Sequence, residues 1–260
     1  VSAMSGVTDM LLNGAHSAAS GDQTSYKEIG ARLREKHAAA LAELVPNAAA
    51  AVATSTAIEQ LIDEFELLCH SAGVLGEASP RAIDAISSLG ERMSVRLVAA
   101  ALNAHGTRAE AIDATEIVVT TPHFGTAVPL QPQTREHTRA RLLPLLEHGV
   151  VPVVTGFIGA TEHGATTTLG RGGSDYSGAI VGAALDADEV AIYTDVDGVM
   201  TTDPRLSPDA RVIPTISFAE MGELAYFGAK VLHPRTIRPV VEHGIPLRIR
   251  NTFNPAHPGT

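Results

Sequence analysis

A junction between a helix and a strand stands at residues 147–154, whose sequence is EHGVVPVV. The same form returns at residues 242–249, EHGIPLRI, and a third His-Gly pair follows Ala104. A glycine just past the last turn of a helix adopts positive φ easily, and a histidine there meets the negative end of the helix dipole. In the first two cases a short apolar run follows directly. Such junctions predict helices that alternate with strands, which is a layered α/β fold.

Four short runs rich in β-branched residues lack polar alternation, which is typical of strands buried on both faces. They are residues 117–119, 150–157, 190–194 and 245–249. Helical patterns accompany them at residues 135–147, 176–185 and 231–242. Because alternating units of this kind build parallel sheets, we expect a three-layer α/β/α sandwich with a mainly parallel central sheet.

The first third of the chain is helical in character. One helical pattern starts near Thr24 and is ended by Pro46, and Ser79-Pro80 has the form of an N-cap followed by proline at the first helical position. We expect Gly90-Glu91 to interrupt or kink the helix that starts at Pro80. We also expect residues 48–53 to form a loose surface connection.

Composition excludes several classes of protein. Of the 260 residues 45% are hydrophobic, which is enough for a sizeable core. No apolar run approaches the ~18 residues of a membrane-spanning helix, so we expect no membrane partner. A formal net charge of -10 makes nucleic acid a poor partner, because that binding relies on Lys and Arg to neutralise phosphates. The single cysteine, Cys69, fits a reducing compartment, so we expect a cytoplasmic protein.

The most informative segment is residues 166–178, TTTLGRGGSDYSG. It places three glycines around Arg171 and then Ser174 and Asp175 at the start of a helix of small residues. Glycines let backbone amides approach an anion closely, and a helix N-terminus favours negative charge. Arg171 can bind a carboxylate through two parallel hydrogen bonds. The segment therefore predicts an anion site; the alternative is a tight turn with Ser174 as an ordinary N-cap.

A polar segment, residues 193–205 (YTDVDGVMTTDPR), directly follows a predicted strand. Ligands of open α/β sheets bind beyond the carboxyl ends of the strands, which places Thr194 and Asp195 where a ligand would lie. A solvated turn of Asp, Gly and Pro residues explains the same composition equally well. The segment therefore indicates a binding loop without excluding a plain connection.

Two charged residues stand in unusual surroundings. Lys230 lies at the start of a helix in residues 227–234, FGAKVLHP, where it opposes the helix dipole unless a polyphosphate is bound. Simple solvent exposure is the alternative for this lysine. Glu91 stands beside a glycine in an apolar helical stretch and could hold an ammonium group. It could equally pair with Arg92 or Arg96 on the helix surface.

Several familiar motifs are absent. The dinucleotide-binding spacing GxGxxG fails because Asp175 stands in place of the third glycine, and there is no P-loop and no protein-kinase HRD or DFG element. Residues 195–198, DVDG, resemble the start of a calcium loop, but the later acidic ligands are missing. The histidines show no metal-ligand spacing, so we expect no metal site made by protein side chains.

Six segments, in chain order, resemble the catalytic domain of aspartate kinases within the amino acid kinase family. They are residues 1–8 (VSAMSGVT), 90–94 (GERMS), 156–159 (GFIG), 166–178, 194–205 and 227–234. The resemblance rests on these motifs and covers almost the whole chain. It implies an amino acid kinase fold in which residues 1–165 form an aspartate-binding lobe and residues 166–260 a nucleotide-binding lobe.

The resemblance implies phosphoryl transfer from ATP to the β-carboxylate of L-aspartate. The product would be 4-phospho-L-aspartate, the first intermediate of lysine, threonine and methionine biosynthesis. The resemblance also implies Mg²⁺, held mainly by nucleotide phosphates and water.

The same resemblance assigns roles to residues of this chain. Glu91 would bind the substrate ammonium and Arg171 its α-carboxylate. The rest of the aspartate pocket would be Ser2, Thr8, Phe157 and Ser174. The nucleotide would be held by Thr194, Asp195, Met200, Arg205 and Lys230. Catalytic roles would fall to Asp175, which organises the reacting groups, and to Lys230, which contacts the phosphates.

Two alternatives to this function stay open. The acceptor could be another small acid, namely N-acetylglutamate, glutamate or carbamate, or the chain could be a non-catalytic nucleotide-binding subunit. We also expect a homo-oligomer. Since the sequence starts at Val1, we expect it to be a fragment that lacks the family's N-terminal lysine strand and its C-terminal ACT regulatory domains.

Overall fold

The computed structural model describes residues 1–202, 207, 209–226, 232 and 234–260. The chain divides into two compact units, Val1–Gly170 and Arg171–Thr260. The division falls within the glycine-rich segment, a few residues after the boundary expected at residue 165.

The described residues contain eight α-helices and one short 3-10 helix, Ala114–Glu116. The α-helices are α1 (Val7–Ala19), α2 (Ser25–Leu44), α3 (Ala48–Leu75), α4 (Pro80–Ala104), α5 (Gln131–Glu147), α6 (Gly173–Leu185), α7 (Phe218–Tyr226) and α8 (Pro234–Glu242). None of these helices has both the length and the apolar character needed to cross a membrane.

Seven short strands accompany the helices in the described part of the chain. They are β1 (Ala109–Ile112), β2 (Val119–Thr120), β3 (Val151–Val154), β4 (Ile158–Thr161), β5 (Thr166–Thr168), β6 (Val190–Thr194) and β7 (Leu247–Asn251). They pair in three ladders: β1 with β3, β2 with β4 and β5, and β6 with β7. Only the β4–β5 pairing of these is antiparallel. The expectation of an α/β fold with mainly parallel pairing is confirmed.

The first unit has a helical core formed by α1 to α4, with α3 packed on each of the other three. Its fully buried side chains include Leu11, Leu33, Ile62, Phe65 and Leu89. The expectation for residues 48–53 was wrong, because they form the first turns of α3. The Asn47 side chain accepts hydrogen bonds from the amides of Ala49 and Ala50, so it caps a helix that the run of alanines then favours.

Helix α4 runs without interruption through Gly90 and Glu91, which corrects the expected kink. Its predicted start is confirmed, since the Ser79 hydroxyl accepts a hydrogen bond from the Ala82 amide ahead of Pro80. Gly90 permits close packing against α4 and does not bend the helix. A Cβ there would lie 2.9 Å from the Ala3 Cβ and 3.3 Å from Val7 Cγ1. The glycine therefore lets the N-terminal segment lie directly against α4.

The three His-Gly helix ends are confirmed. His105, His148 and His243 each place Nδ1 within 2.9 Å of the carbonyl four residues earlier. The glycines that follow them have φ between 65° and 85°. A protonated Nδ1 donates to one of the carbonyls that the helix leaves unpaired, and the left-handed glycine turns the chain toward the next strand.

The predicted strand at residues 190–194 is β6, the run at 150–157 contains β3, and the run at 245–249 overlaps β7 only at residues 247–249. The run at 117–119 was mostly misassigned, because only Val119 belongs to a strand. In the second unit, β6 and β7 pair in parallel and α6 packs on α8 and β6. The carboxyl ends of both strands, Thr194 and Asn251, therefore lie side by side.

Candidate active site

Glu91 is a buried carboxylate on the inner face of α4, with a relative exposure of 3%. Its Oε1 accepts a long hydrogen bond of 3.3 Å from the Ala3 amide. Its Oε2 is buried and has no hydrogen-bond partner among the described residues. Burial disfavours the charged form and raises the pKa of Glu91 to about 7. A buried acceptor of this kind is suited to a cationic donor brought by a ligand.

The N-terminal segment connects Glu91 with the turn between β3 and β4. The Val1 carbonyl accepts a hydrogen bond of 2.8 Å from the Gly156 amide, while the Ala3 amide donates to Glu91. Ser2 lies between these two contacts and is exposed. The structure thus brings the predicted residue Ser2 close to both Glu91 and the chain neighbour of Phe157. Thr8 is half-buried in the first turn of α1.

Phe157 has a strained backbone with φ of 67°, which is uncommon for a residue with a side chain. The Ile158 amide donates to the Gly156 carbonyl at 2.8 Å, which closes a tight three-residue turn around Phe157. The Phe157 carbonyl accepts from the Leu169 amide at 2.8 Å. Strained residues are held in place by their surroundings and cluster at functional sites, so this turn is a fixed part of the candidate site.

The glycine-rich segment leads from β5 into α6. Gly170 and Gly172 have φ of 76° and 71°, and Gly172 is the N-cap residue, without a side-chain cap. The alternative of Ser174 as an ordinary N-cap was therefore wrong, since Ser174 lies inside the first turn. Arg171 is exposed, so its guanidinium is accessible to a carboxylate ligand.

Asp175 is half-buried in the first turn of α6. Burial raises the pKa of its carboxyl group above the ordinary value. The amides of the first helical turn are the place where an anion is stabilised. An acid at this point therefore stands among backbone donors at the positive end of the helix.

Of the predicted nucleotide residues, Thr194 and Asp195 lie at the carboxyl end of β6. The Thr194 hydroxyl donates to Asp195 at 3.2 Å, and Asp195 is exposed. Met200 is half-buried and forms an isolated bridge with Val212. Arg205 and Lys230 lie outside the described residues. Within the described residues, no group of three His, Cys, Asp or Glu side chains could hold a metal ion.

A polar cluster beside this edge was missed from the sequence. The Asp197 carboxylate accepts hydrogen bonds from the side-chain amides of Asn251 and Asn254, at 2.9 and 3.0 Å. These bonds hold the pKa of Asp197 below its usual value. They join the loop after β6 to the last residue of β7 and to the loop that follows it. The available signal was the pair of asparagines that follows the last predicted strand.

Comparison with known proteins identifies the family to which the chain is similar. The family model described as amino acid kinase family matches residues 1–251. Aspartokinase 2, chloroplastic, of Arabidopsis thaliana is 38% identical over 264 residues, covering 100% of this chain and 47% of that protein. Lysine-sensitive aspartokinase 3 of Escherichia coli is 41% identical over 203 residues, covering 78% of this chain and 44% of that protein.

Among solved structures, E. coli aspartokinase III in complex with aspartate and ADP matches with a TM-score of 0.89 and 38% identity. The match covers 100% of this chain and 56% of that one. The chain thus spans about half the length of the relatives it matches. From the family match over nearly its whole length, together with the fold described above, the chain belongs to the amino acid kinase family.

Proposed function

We propose that this chain carries out the ATP-dependent phosphorylation of the β-carboxylate of L-aspartate, which yields 4-phospho-L-aspartate and ADP. This reaction is the first step of lysine, threonine and methionine biosynthesis. The observation that carries the proposal is the buried Glu91 carboxylate with an unpartnered Oε2. Similarity to an aspartokinase structure that contains aspartate and ADP supports the same substrates.

The Glu91 carboxylate favours an acceptor with a free ammonium group. An ammonium donates up to three hydrogen bonds and carries the charge that a buried carboxylate requires. N-acetylglutamate and carbamate have no ammonium, so they would leave Oε2 unpaired. A buried polar group left unpaired strongly disfavours the analogue that lacks its partner. The free ammonium group therefore distinguishes aspartate from those two acceptors. Glutamate also carries an ammonium group, so it must be excluded by the greater length of its side chain.

The glycine-rich segment supplies the groups for the acceptor's α-carboxylate. Arg171 is accessible and can bind a carboxylate through two parallel hydrogen bonds. Ser174 adds a hydroxyl donor in the first turn of α6. The strained turn at Phe157 and the residues Ser2 and Thr8 complete the set of aspartate contacts that we propose.

The nucleotide contacts that we propose are Thr194, Asp195 and Met200, together with Arg205 and Lys230. Phosphoryl transfer demands little covalent participation by the protein, so its work is to hold two anions in line and to neutralise charge. Mg²⁺, bound through phosphate oxygens, would neutralise part of that charge. Asp175, at the start of α6, would orient the reacting groups.

The test measures ADP release with a panel of acceptors: aspartate, glutamate, N-acetylglutamate and bicarbonate with ammonia as the source of carbamate. We expect release only with aspartate. Glu91→Gln should lower kcat/KM for aspartate about 10- to 100-fold, since it removes a charged hydrogen-bond partner. Glu43→Gln makes the same change at an exposed position of α2 and is the matched control, with activity unchanged.

Two results would contradict the proposal. Activity with a different acceptor alone would replace aspartate by that acid. Tight binding of ATP without any aspartate-dependent release of ADP, even when aspartate saturates the protein, would instead identify a non-catalytic nucleotide-binding subunit.

A further inference from the structure

A second buried carboxylate lies on the same helix as Glu91. Asp84 in α4 is 1% exposed. Its Oδ2 accepts hydrogen bonds from the backbone amides of Gly125 and Thr168, both at 2.8 Å. Its Oδ1 accepts from the Thr168 hydroxyl, also at 2.8 Å. One side chain thereby joins α4 to the turn before residue 126 and to the end of β5.

These bonds fix the point where the chain enters the glycine-rich segment. Thr168 precedes Gly170 and Arg171 by only a few residues. The Gly125 carbonyl lies against Gly170, where an added Cβ would come within 3.0 Å of its oxygen. Gly170 itself has φ of 76°, a conformation that favours glycine. The turn that Asp84 holds therefore sets the position of the residue immediately before Arg171.

Asp84 and Glu91 are seven residues apart on one continuous helix, which is about two turns, so their side chains share a face. We propose that Asp84 is a positioning residue for the binding of aspartate: within the first unit it fixes residues 168–170, where the chain enters the glycine-rich segment, to the helix that carries Glu91. This inference rests on the proposed function. Asp84 itself touches protein groups only in the contacts described, so it acts through the loop and not on the substrate.

The chemistry of the contacts predicts which substitutions are tolerated. All three partners donate to the carboxylate, so the geometry depends on acceptor oxygens at two positions. Asparagine can place its oxygen at the Oδ2 position and let its amide donate to the Thr168 hydroxyl, which can turn and accept. Alanine leaves both backbone amides unpaired in the interior. Glutamate keeps the charge but moves it by one methylene.

The experiment measures binding of L-aspartate, in the presence of ADP, by calorimetry on the full chain. We expect Asp84→Ala to weaken aspartate binding by about tenfold or more, because a loop misplaced by a fraction of an ångström loses its contacts. Asp84→Asn should bind aspartate within about twofold of wild type. Affinity for ADP should change by less than about twofold in both variants, because neither alters a nucleotide contact.

A control separates positioning from general loss of stability. Thr138→Val removes a buried hydroxyl that donates to the Ile117 carbonyl, a contact made by α5 in the same unit. It should lower the melting temperature without changing the dissociation constant of aspartate. Should Asp84→Ala not fold, Asp84→Glu decides the question, since it should weaken aspartate binding although the charge is kept.

Three outcomes would overturn the inference. Aspartate binding in Asp84→Ala that equals wild type would show that the carboxylate only stabilises the fold. A loss in Asp84→Asn as large as in Asp84→Ala would show that charge, and not placement, matters. Wild-type protein that binds ADP but no aspartate would overturn the proposed function, and the inference with it.

Discussion

Glu91 occupies a position where its own charge is unfavourable until a ligand arrives. The carboxylate is buried and only Oε1 has a partner among the described residues. Burial raises the pKa of Glu91 to about 7, so the ligand-free site holds a proton over much of the acidic range. An ammonium ligand would favour the ionised form. Binding and deprotonation of Glu91 are therefore linked.

We predict that binding of aspartate at pH 6 releases close to one proton. With a pKa of about 7, Glu91 is roughly nine-tenths protonated at pH 6 before binding. Because binding requires this deprotonation, affinity for aspartate increases as the pH rises toward 7 and levels off above it. Calorimetry in two buffers of different ionisation enthalpy measures the proton count. Release should be absent in Glu91→Gln, and equal release in that variant would contradict the assignment.

Helix α6 contains two glycines with opposite surroundings. At Gly182 an added Cβ would overlap the buried side chain of Val190 in β6, so this glycine permits close packing of helix on strand. At Gly178 nothing lies within 4 Å of the added atom, and the residue is exposed. The same substitution at these two positions should therefore have opposite effects.

We predict that Gly182→Ala lowers the free energy of unfolding by about 1–3 kcal/mol, because Val190 is stiff and buried and the strand must shift. Gly178→Ala should raise it by about 0.5–1 kcal/mol, since alanine is the better helix former. Urea unfolding followed by circular dichroism measures both. Destabilisation of the same size in both variants would show that helix geometry, and not contact with β6, requires glycine.

The start of α3 depends on Asn47. Its side-chain oxygen accepts from the amides of Ala49 at 3.0 Å and Ala50 at 3.4 Å, two of the four amides that a helix leaves unpaired. Asn47→Ala should cost about 1 kcal/mol of stability, while Asn47→Asp should cost almost nothing. Thermal unfolding of the two variants distinguishes them, and an equal loss in both would exclude capping as the cause.

The elements also show which parts of the secondary structure can be predicted from the sequence. Helix ends with a local chemical cause were predicted, as at Ser79 and at the three His-Gly pairs. Strands β4 and β5 were not predicted, because IGAT and TTT are too short and too weakly apolar to give a periodic pattern. They form strands because β4 pairs with the distant strand β2 and β5 pairs with β4.

The candidate site likewise contains residues that the sequence predicted and one that it did not. Glu91 and the Arg171 segment were found because charged residues beside glycines give a local signal. Asp84 was missed, although an acid within an apolar helical stretch seven residues before Glu91 was visible in the sequence. Its role depends on Gly125 and Thr168, which are distant along the chain and carry no signal of their own.

The formal net charge of -10 on the whole chain repels both proposed substrates, because they are anions. The net field therefore cannot draw them in, and affinity must come from local groups such as Arg171 and the amides at the start of α6. Many other arginines are engaged with acids of the protein: Arg34, for example, pairs with Glu59, Asp63 and Glu66. Such exposed pairs contribute little stability.

Cys69 offers a readout of the first unit as a whole. It is the single cysteine of the chain, its side chain is fully buried in the helical core, and burial raises the pKa of its thiol to about 12. Because the thiolate is the reactive species, a disulfide reagent should label Cys69 only when the unit opens. A ligand that binds the closed form at 100 times its Kd should slow labelling about 100-fold. We predict this slowing by aspartate in wild type and a slowing of only about 2- to 10-fold in Glu91→Gln at the same concentration, because weaker binding leaves aspartate at about 1 to 10 times its Kd. Equal slowing in both proteins would mean that aspartate binds elsewhere, and no slowing in wild type would place its binding outside the unit that holds Glu91.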